Sequence, residues 1–164
     1  MKRLLVCAAI GGVMCVAAGA QMPKYGVTVN AEKNVDFAAF KTYSWTKGQP
    51  SAAKEIDAQI MAAVDRELSA LGMTKAASPP GDVLAAYYSM TRTDVDLKAK
   101  ANDGTRPQYS VGSLMVALLD PGSRRRLLRL RVDKPIDSDL ANLGPAIDGA
   151  VAELFQHYPT RRQK

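Results

Sequence analysis

The stretch Gly112–Val132, GSLMVALLDPGSRRRLLRLRV, decides the fold of this chain because its pattern is typical of a β-hairpin. Large apolar residues recur at every second position on both arms: Leu114, Val116 and Leu118 on the first, Leu128, Leu130 and Val132 on the second. Such alternation places one face of each strand in a core. Pro121 presets a backbone angle suited to a turn, and we expect Gly122 to supply a positive φ. The pattern predicts antiparallel strands joined at Asp120–Ser123.

Arginines are concentrated on the turn and second arm of this hairpin, at Arg124, Arg125, Arg126, Arg129 and Arg131. Guanidinium groups bind phosphate and carboxylate in a bidentate way that an ammonium group cannot reproduce. One interpretation is therefore a site for anionic headgroups or an acidic partner. The other is a charged outward face that protects an edge strand from pairing with another chain. These five arginines are the candidate ligand-binding residues of the sequence; Tyr43 and Trp45 could stack on a sugar, but a core position is favoured for both.

Two segments have the apolar periodicity of helices. The first covers residues 51–71, with Ser51 as its expected N-cap and Gly72 just after its end. Its apolar stripe is formed by Ile56, Ile60, Val64, Leu68 and Leu71. The second covers residues 143–157, and its apolar face is formed by Ile147, Val151, Leu154, Phe155 and Tyr158. Both stripes predict helices that lie on a sheet.

Shorter apolar runs predict further strands at residues 25–29, 43–45, 73–76 and 83–90, the last of them central because it is apolar on both faces. The polar residues 91–110 are interpreted as a solvated loop or a frayed strand extension, and a mobile loop is the expectation. The predicted fold is a single α+β domain over residues 21–164. Its two helices pack on one face of a largely antiparallel sheet of four or five strands.

Residues 1–20 have the pattern of a cleaved secretory signal peptide. Lys2 and Arg3 provide the positive start, residues 4–17 the apolar run, and Ala18-Gly19-Ala20 the cleavage signal. The run is too short for a membrane-spanning helix, which needs about 20 residues. We expect an exported, periplasmic protein without a transmembrane span after cleavage. Lipid anchoring through Cys15 is less favoured, because Gly12–Met14 matches the bacterial lipoprotein signal poorly.

Composition narrows the chemistry of the mature chain. Both cysteines, Cys7 and Cys15, lie in the leader, so no mature thiol remains for redox, nucleophilic or zinc chemistry. Cleavage also removes two positive charges and no acid, which lowers the net charge from +6 to +4. After export, anionic envelope lipid or glycan is available, whereas nucleic acid is not an expected partner. No cofactor or metal site is predicted.

Catalysis by the remaining residue types has little support in the sequence. His157 is the only histidine and lies near the end of the second helix, where a structural role at the helix dipole is favoured. Carboxylates acting in pairs would permit a hydrolase, with candidates Asp94, Asp96, Asp103, Asp120, Asp137 and Asp139. Their spacing does not single out a pair.

The order of several short motifs resembles the bacterial envelope family catalogued as domain of unknown function 4136. The motifs are Val35-Asp36-Phe37, residues 40–45 (FKTYSW), residues 68–73 (LSALGM), Asp82-Val83-Leu84, residues 112–120 (GSLMVALLD) and residues 154–159 (LFQHYP). This chain has Leu128-Arg129-Leu130 where the family often has a tryptophan, and the lipobox common in the family is absent or degenerate. The resemblance implies an exported α+β domain without an assigned catalytic residue.

These observations favour a non-catalytic binding or scaffolding module of the bacterial envelope. Its expected partner is an anionic lipid or glycan, or an envelope protein complex. The alternative is a carboxylate-dependent hydrolase acting on an envelope polymer. A cleft lined by facing acids would support the hydrolase.

Overall fold

Three long antiparallel strands form the centre of the sheet in the computed structural model, which describes residues 25–96, 100, 104–136 and 142–161. Along the chain the elements are β1 (Gly26–Ala31), β2 (Thr42–Trp45), α1 (Lys54–Ala70), β3 (Thr74–Lys75), β4 (Val83–Val95), β5 (Gln108–Leu119), β6 (Arg126–Pro135) and α2 (Leu143–Gln156). The predicted leader, with Cys7 and Cys15, lies outside the described residues.

Within the described ranges the sheet has six strands in the order β1-β6-β5-β4-β2-β3. The strands β1, β6, β5 and β4 pair antiparallel, whereas β2 is parallel to both β4 and β3. The predicted α+β class and the largely antiparallel sheet are confirmed, with one or two more strands than expected. The brief strand predicted at residues 73–76 is present as the two-residue edge strand β3, and it accounts for the larger count.

Both helices pack on the same face of this sheet, as the apolar stripes predict. Their buried residues form one core with alternate residues of the central strands, such as Tyr87, Val116 and Leu130. The intervening residues, among them Ala86 and Ala117, are also buried but belong to the opposite side of the sheet. We call that opposite side, which neither helix covers, the open face.

A β-bulge interrupts the pairing of β5 with β6 close to their turn. Leu118 pairs with Leu128, but the next residue, Leu119, pairs with Arg126, so that Leu127 is an extra residue of β6. Both Leu127 and Leu128 are buried in the core. An extra residue of this kind reverses the alternation of the strand on one side of the bulge.

The turn of the hairpin differs from the prediction. Gly122 does not have a positive φ; the left-handed residue is Arg124, with φ of 60°. The Asp120 side chain accepts hydrogen bonds from the Ser123 backbone N–H and hydroxyl, both at 2.7 Å, and the Asp120 carbonyl accepts one from Arg124 N–H at 2.9 Å. These bonds form a tight helical turn over residues 120–123, so the reversal of direction occurs one residue later.

The segment predicted as a mobile loop is in part a continuation of the central strands. β4 extends to Val95, and its last residues pair with the start of β5: Asp94 with Tyr109 and Val95 with Gln108. The prediction of a loop is therefore wrong for residues 91–95 and 108–110. Residues 97–99 and 101–103 lie outside the described ranges. In this extension threonines alternate with the charged residues Arg92 and Asp94. This alternation indicates a strand, but the polar composition of the segment suggested a loop.

Two carboxylates of α1 attach this helix to the sheet. The Asp65 side chain accepts hydrogen bonds from the Tyr43 hydroxyl at 2.7 Å and from Trp45 Nε1 at 2.9 Å. Nearer the start of α1, the Asp57 side chain accepts a hydrogen bond from the Tyr87 hydroxyl. α1 starts at Lys54, three residues later than predicted, and Ser51 is not its N-cap. Gly72 follows its end with φ of 84°, as expected for a left-handed cap.

Two glycines provide a matched test of the packing. A Cβ at Gly48 would lie 2.0 Å from the Tyr87 carbonyl oxygen, whereas a Cβ at Gly149, in the interior of α2, would meet nothing within 4 Å. We expect Gly149→Ala to raise the free energy of unfolding by about 1 kcal/mol, because alanine is the better helix former. Gly48→Ala should lower that free energy, because the β4 backbone has to move. Urea unfolding measures both, and equal effects would contradict this packing.

Candidate functional site

The open face of the sheet carries three of the five predicted arginines. Arg126, Arg129 and Arg131 pair with Leu119, Ala117 and Met115 of β5, which all belong to this face. The bulge at Leu127 makes this possible, because strict alternation would place Arg126 on the side of Leu128. Neighbouring β1 continues the face with the exposed residues Thr28 and Asn30. We call Arg92, Arg126, Arg129 and Arg131, with Asp94 and Asp133, the arginine face.

One half of the arginine face is an ion-pair network. Asp133 Oδ1 accepts hydrogen bonds from Arg131 Nη2 at 3.0 Å, from Arg92 Nη1 at 3.1 Å and from the Ser113 hydroxyl. Arg92 Nε also donates to Asp94 Oδ1 at 3.1 Å. The network joins three adjacent strands and neutralises Arg92 and Arg131 locally.

The network keeps its acid ionised. Burial disfavours the charged form of Asp133, but the hydrogen bonds from Ser113, Arg131 and Arg92 outweigh burial and lower the pKa of this carboxyl. The hydrogen bonds from Arg92 to Asp94 and to Asp133 raise the pKa of this guanidinium further above its ordinary value. A carboxyl held ionised in this way is unsuited to the role of general acid near neutral pH.

The other half of the arginine face has cations without acidic partners. Among the described residues, neither Arg126 nor Arg129 lies within 4.0 Å of a carboxylate. The Nε of Arg129 is buried and, within the same ranges, has no hydrogen-bond partner. A buried polar donor without a partner costs about 1–3 kcal/mol. Such a cost is typical of a group that is completed by a ligand or by water.

The two remaining predicted arginines lie at the hairpin turn. Arg124 Nη1 donates to the Thr46 hydroxyl at 3.0 Å. Thr46 follows β2, on the other side of the first residues of β4 from the turn. Arg125 Nη1 forms an exposed ion pair with Glu32 at 3.2 Å. The five predicted arginines therefore do not form a single cluster. Arg92 was not predicted as a site residue, because residues 91–95 were assigned to a loop. The alternation of Arg92 and Asp94 with threonines was the signal that could have indicated a strand.

Those acids of the hydrolase alternative that fall in the described ranges do not line the cleft of this structure. Asp94 is part of the arginine network, and Asp120 holds the hairpin turn. Asp103, Asp137 and Asp139 lie outside the described residues. The described ranges contain no cluster of three histidine, cysteine or acidic side chains able to hold a metal. No helix within them is long and apolar enough to span a membrane.

Comparison with known families identifies the chain. The family model described as Domain of unknown function (DUF4136) matches residues 27–160. The chain belongs to this family. The resemblance carried by its short motifs is thereby confirmed. Among curated proteins, none matches the sequence significantly.

Solved structures share the fold of this DUF4136 chain. A PDZ domain protein from Parabacteroides distasonis has a TM-score of 0.56 and 17% identity, with 85% of this chain and 36% of that chain covered. This chain thus spans about a third of the length of that protein. A PelC subunit from the dodecamer of Paraburkholderia phytofirmans has a TM-score of 0.56 and 9% identity, with 85% and 99% covered. At such identities the similarity is one of fold.

The ion-pair network predicts a pH-dependent stability. Because the pKa of Asp133 is lower in the folded protein, its contribution is complete above the unfolded value of about 4 and is lost as the pH falls through the folded value. Asp133→Asn should therefore cost about 1–3 kcal/mol at pH 7, and the difference should shrink below about pH 4.

Denaturant unfolding from pH 7 to pH 2.5 measures this difference. Asp148→Asn, which removes an exposed acid paired with Arg66, serves as the control and should have a small effect. A cost of Asp133→Asn that stays constant over the whole pH range would contradict the assignment.

Proposed function

We propose that this DUF4136 protein is exported to the bacterial envelope, where it acts as a non-catalytic module that binds anionic groups on the arginine face. The proposed ligand chemistry is a phosphate or carboxylate group of an envelope lipid or glycan. The signal-like residues 1–20 support export, and family membership is consistent with it. Binding rests on the geometry of the open face.

The observation that carries the proposal is the pair Arg126 and Arg129. Both lie on a sheet face that no helix covers, on the same strand, and neither has an acidic partner among the described residues. Arg131 adjoins Arg129, and Arg92 lies further along the face; both are already neutralised by acids. An anion approaching this face would therefore meet uncompensated positive charge at Arg126 and Arg129.

A merely protective role for these arginines has less support. Positive residues that guard against strand pairing are expected on the outermost strand. β6 is an interior strand, paired with β1 on one side and β5 on the other. The edge is β1, whose outward residues on the open face, Thr28 and Asn30, are uncharged. The arginines are therefore better explained by recognition of an anion.

The hydrolase remains the second candidate and has weaker support. Paired carboxylate catalysis needs one acid that is protonated near neutral pH and a second that is ionised. Of the acids on the arginine face, Asp133 is held ionised, and Asp94 shares Arg92 with it. This arrangement stabilises charge on the protein instead of transferring protons to a substrate.

Export predicts a mature protein that starts near Gln21. Expressed in a Gram-negative host, the full chain should be recovered from the periplasm, and a chain lacking residues 1–20 should stay in the cytoplasm. Intact mass and N-terminal sequencing measure the cleavage site. Recovery of the uncleaved chain in the cytoplasm would contradict export, and a lipid-modified Cys15 would contradict the predicted cleavage site.

Binding on the arginine face predicts a loss on removal of its uncompensated charges. Arg126→Ser/Arg129→Ser should lower the partition coefficient onto phosphatidylglycerol vesicles by roughly thirtyfold, since each basic residue contributes about 1 kcal/mol near such a surface. Added salt should weaken wild-type binding. Co-sedimentation measures both effects, and lipopolysaccharide in place of vesicles tests the glycan-bearing ligand.

The matched control is Lys54→Ser/Arg66→Ser, which removes the same charge from exposed positions of α1 on the other side of the sheet. It should leave binding within about twofold of the wild type. Equal losses in both double variants would mean that net charge alone attracts the protein. Undiminished binding by the Arg126 and Arg129 variant would rule out the arginine face and favour a protein partner.

A further inference from the structure

A cleft of about 200 Å³ lies on the helix side of the sheet, away from the arginine face. Its floor is formed by Leu114 and Val132 of the central strands, and its walls by Ile56 and Ile60 of α1 and by Leu143 and Ile147 of α2. It occupies the space between the amino-terminal halves of both helices and one end of the sheet. The cleft is open to solvent on one side, which distinguishes it from a sealed packing void.

Small residues on the sheet explain why the core is not filled at this end. Along the helix-facing side of β4, the large Tyr87 is followed by Ser89 and Thr91. On the neighbouring strand, Leu114 is preceded on the same side by Gly112. A Cβ at Gly112 would lie 3.1 Å from the Ile136 side chain, so the glycine permits Ile136 to lie over the strand. These small residues leave space between the sheet and the first turns of the two helices.

The lining selects the chemistry of a ligand. Its described walls are branched aliphatic side chains, without an aromatic ring and without a carboxylate. Lys134 is the only charged residue among the described lining, and it lies at the exposed end of β6. Lys134 also forms an ion pair with Glu153 of α2, but both side chains are more than a third exposed, so this pair is weak and exchangeable.

We propose that this cleft binds the alkyl chain of an anionic amphiphile, with the carboxylate or phosphate of the ligand beside Lys134. Burial of the chain against the aliphatic walls supplies the affinity. Lys134 supplies the preference for an anionic end group. An exposed apolar side chain beside the cleft supports an apolar ligand, since Ile136 is 36% exposed.

The test uses the mature protein and radiolabelled octanoate as the probe, because a short alkyl chain matches a cleft of about 200 Å³. Decanoate and a lysophosphatidylglycerol compete for the bound probe, which distinguishes a free fatty acid from a lipid as the source of the chain. Saturable probe binding with displacement by either competitor is the expected result. Absence of saturable binding by the folded wild type would overturn the proposal.

Two tryptophan variants localise the probe. Ala146 is an exposed residue of α2 that lines the cleft, and Ala62 is an exposed residue of α1 that does not. Ala146→Trp should block the cleft and weaken probe binding by at least about tenfold, whereas Ala62→Trp should leave it within about twofold. Circular dichroism verifies that both variants fold. Equal binding by both variants would overturn the cleft as the site.

The role of Lys134 is tested separately. Lys134→Met should weaken displacement by decanoate more than displacement by decanol, which has the same chain without the charge. An equal effect on both competitors would reject the anionic end group. Arg126→Ser/Arg129→Ser should bind the probe as the wild type does, because the arginine face lies on the opposite side of the sheet. The two proposals can therefore be rejected independently: loss of probe binding concerns the cleft, and loss of vesicle binding concerns the arginine face.

Discussion

The extra residue in β6 decides how the two sides of this sheet differ. A regular strand would place Arg126 and Leu128 on one side, in conflict with the hydrophobic core. With Leu127 inserted, both leucines are buried and Arg126 joins Arg129 and Arg131 on the open face. A one-residue change of register exchanges the faces of all residues beyond it. The core and the arginine face therefore depend on the same bulge.

Polar contacts fix the helix layer over the apolar side. Asp57 and Asp65 of α1 accept hydrogen bonds from sheet tyrosines, and burial together with the carboxylate raises the pKa of Tyr87 to about 12. The tyrosines therefore remain neutral donors at physiological pH, and each bond specifies where along the sheet the helix sits. Apolar packing alone is far less directional. The position of α1 in turn sets one wall of the cleft.

Local patterns predicted the elements whose residues alternate strongly. Both helices and the central hairpin follow from apolar periodicity, whereas the first half of β4 follows from a continuous apolar run that is buried on both faces. The end of β4 was missed because its alternating residues are charged, and their partner Asp133 lies on a distant part of the chain. The left-handed residue Arg124 was missed because it depends on the hydrogen bonds of Asp120, which no residue preference at position 124 reveals.

For the candidate site, the residue types were predictable but their grouping was not. Five arginines close in sequence suggest one cluster, yet Arg125 is paired with Glu32 and Arg131 with Asp133. On the arginine face, the described cations without an acidic partner are Arg126 and Arg129, a distinction that requires the positions of acids contributed by other strands. The cleft could not be predicted from the sequence, because Ser89, Thr91 and Gly112 are ordinary strand residues. They line a cleft only because the two helices pack over this part of the sheet. At both sites the proposed ligand preference depends on which side chains the sheet places next to one another, and that arrangement requires the tertiary structure.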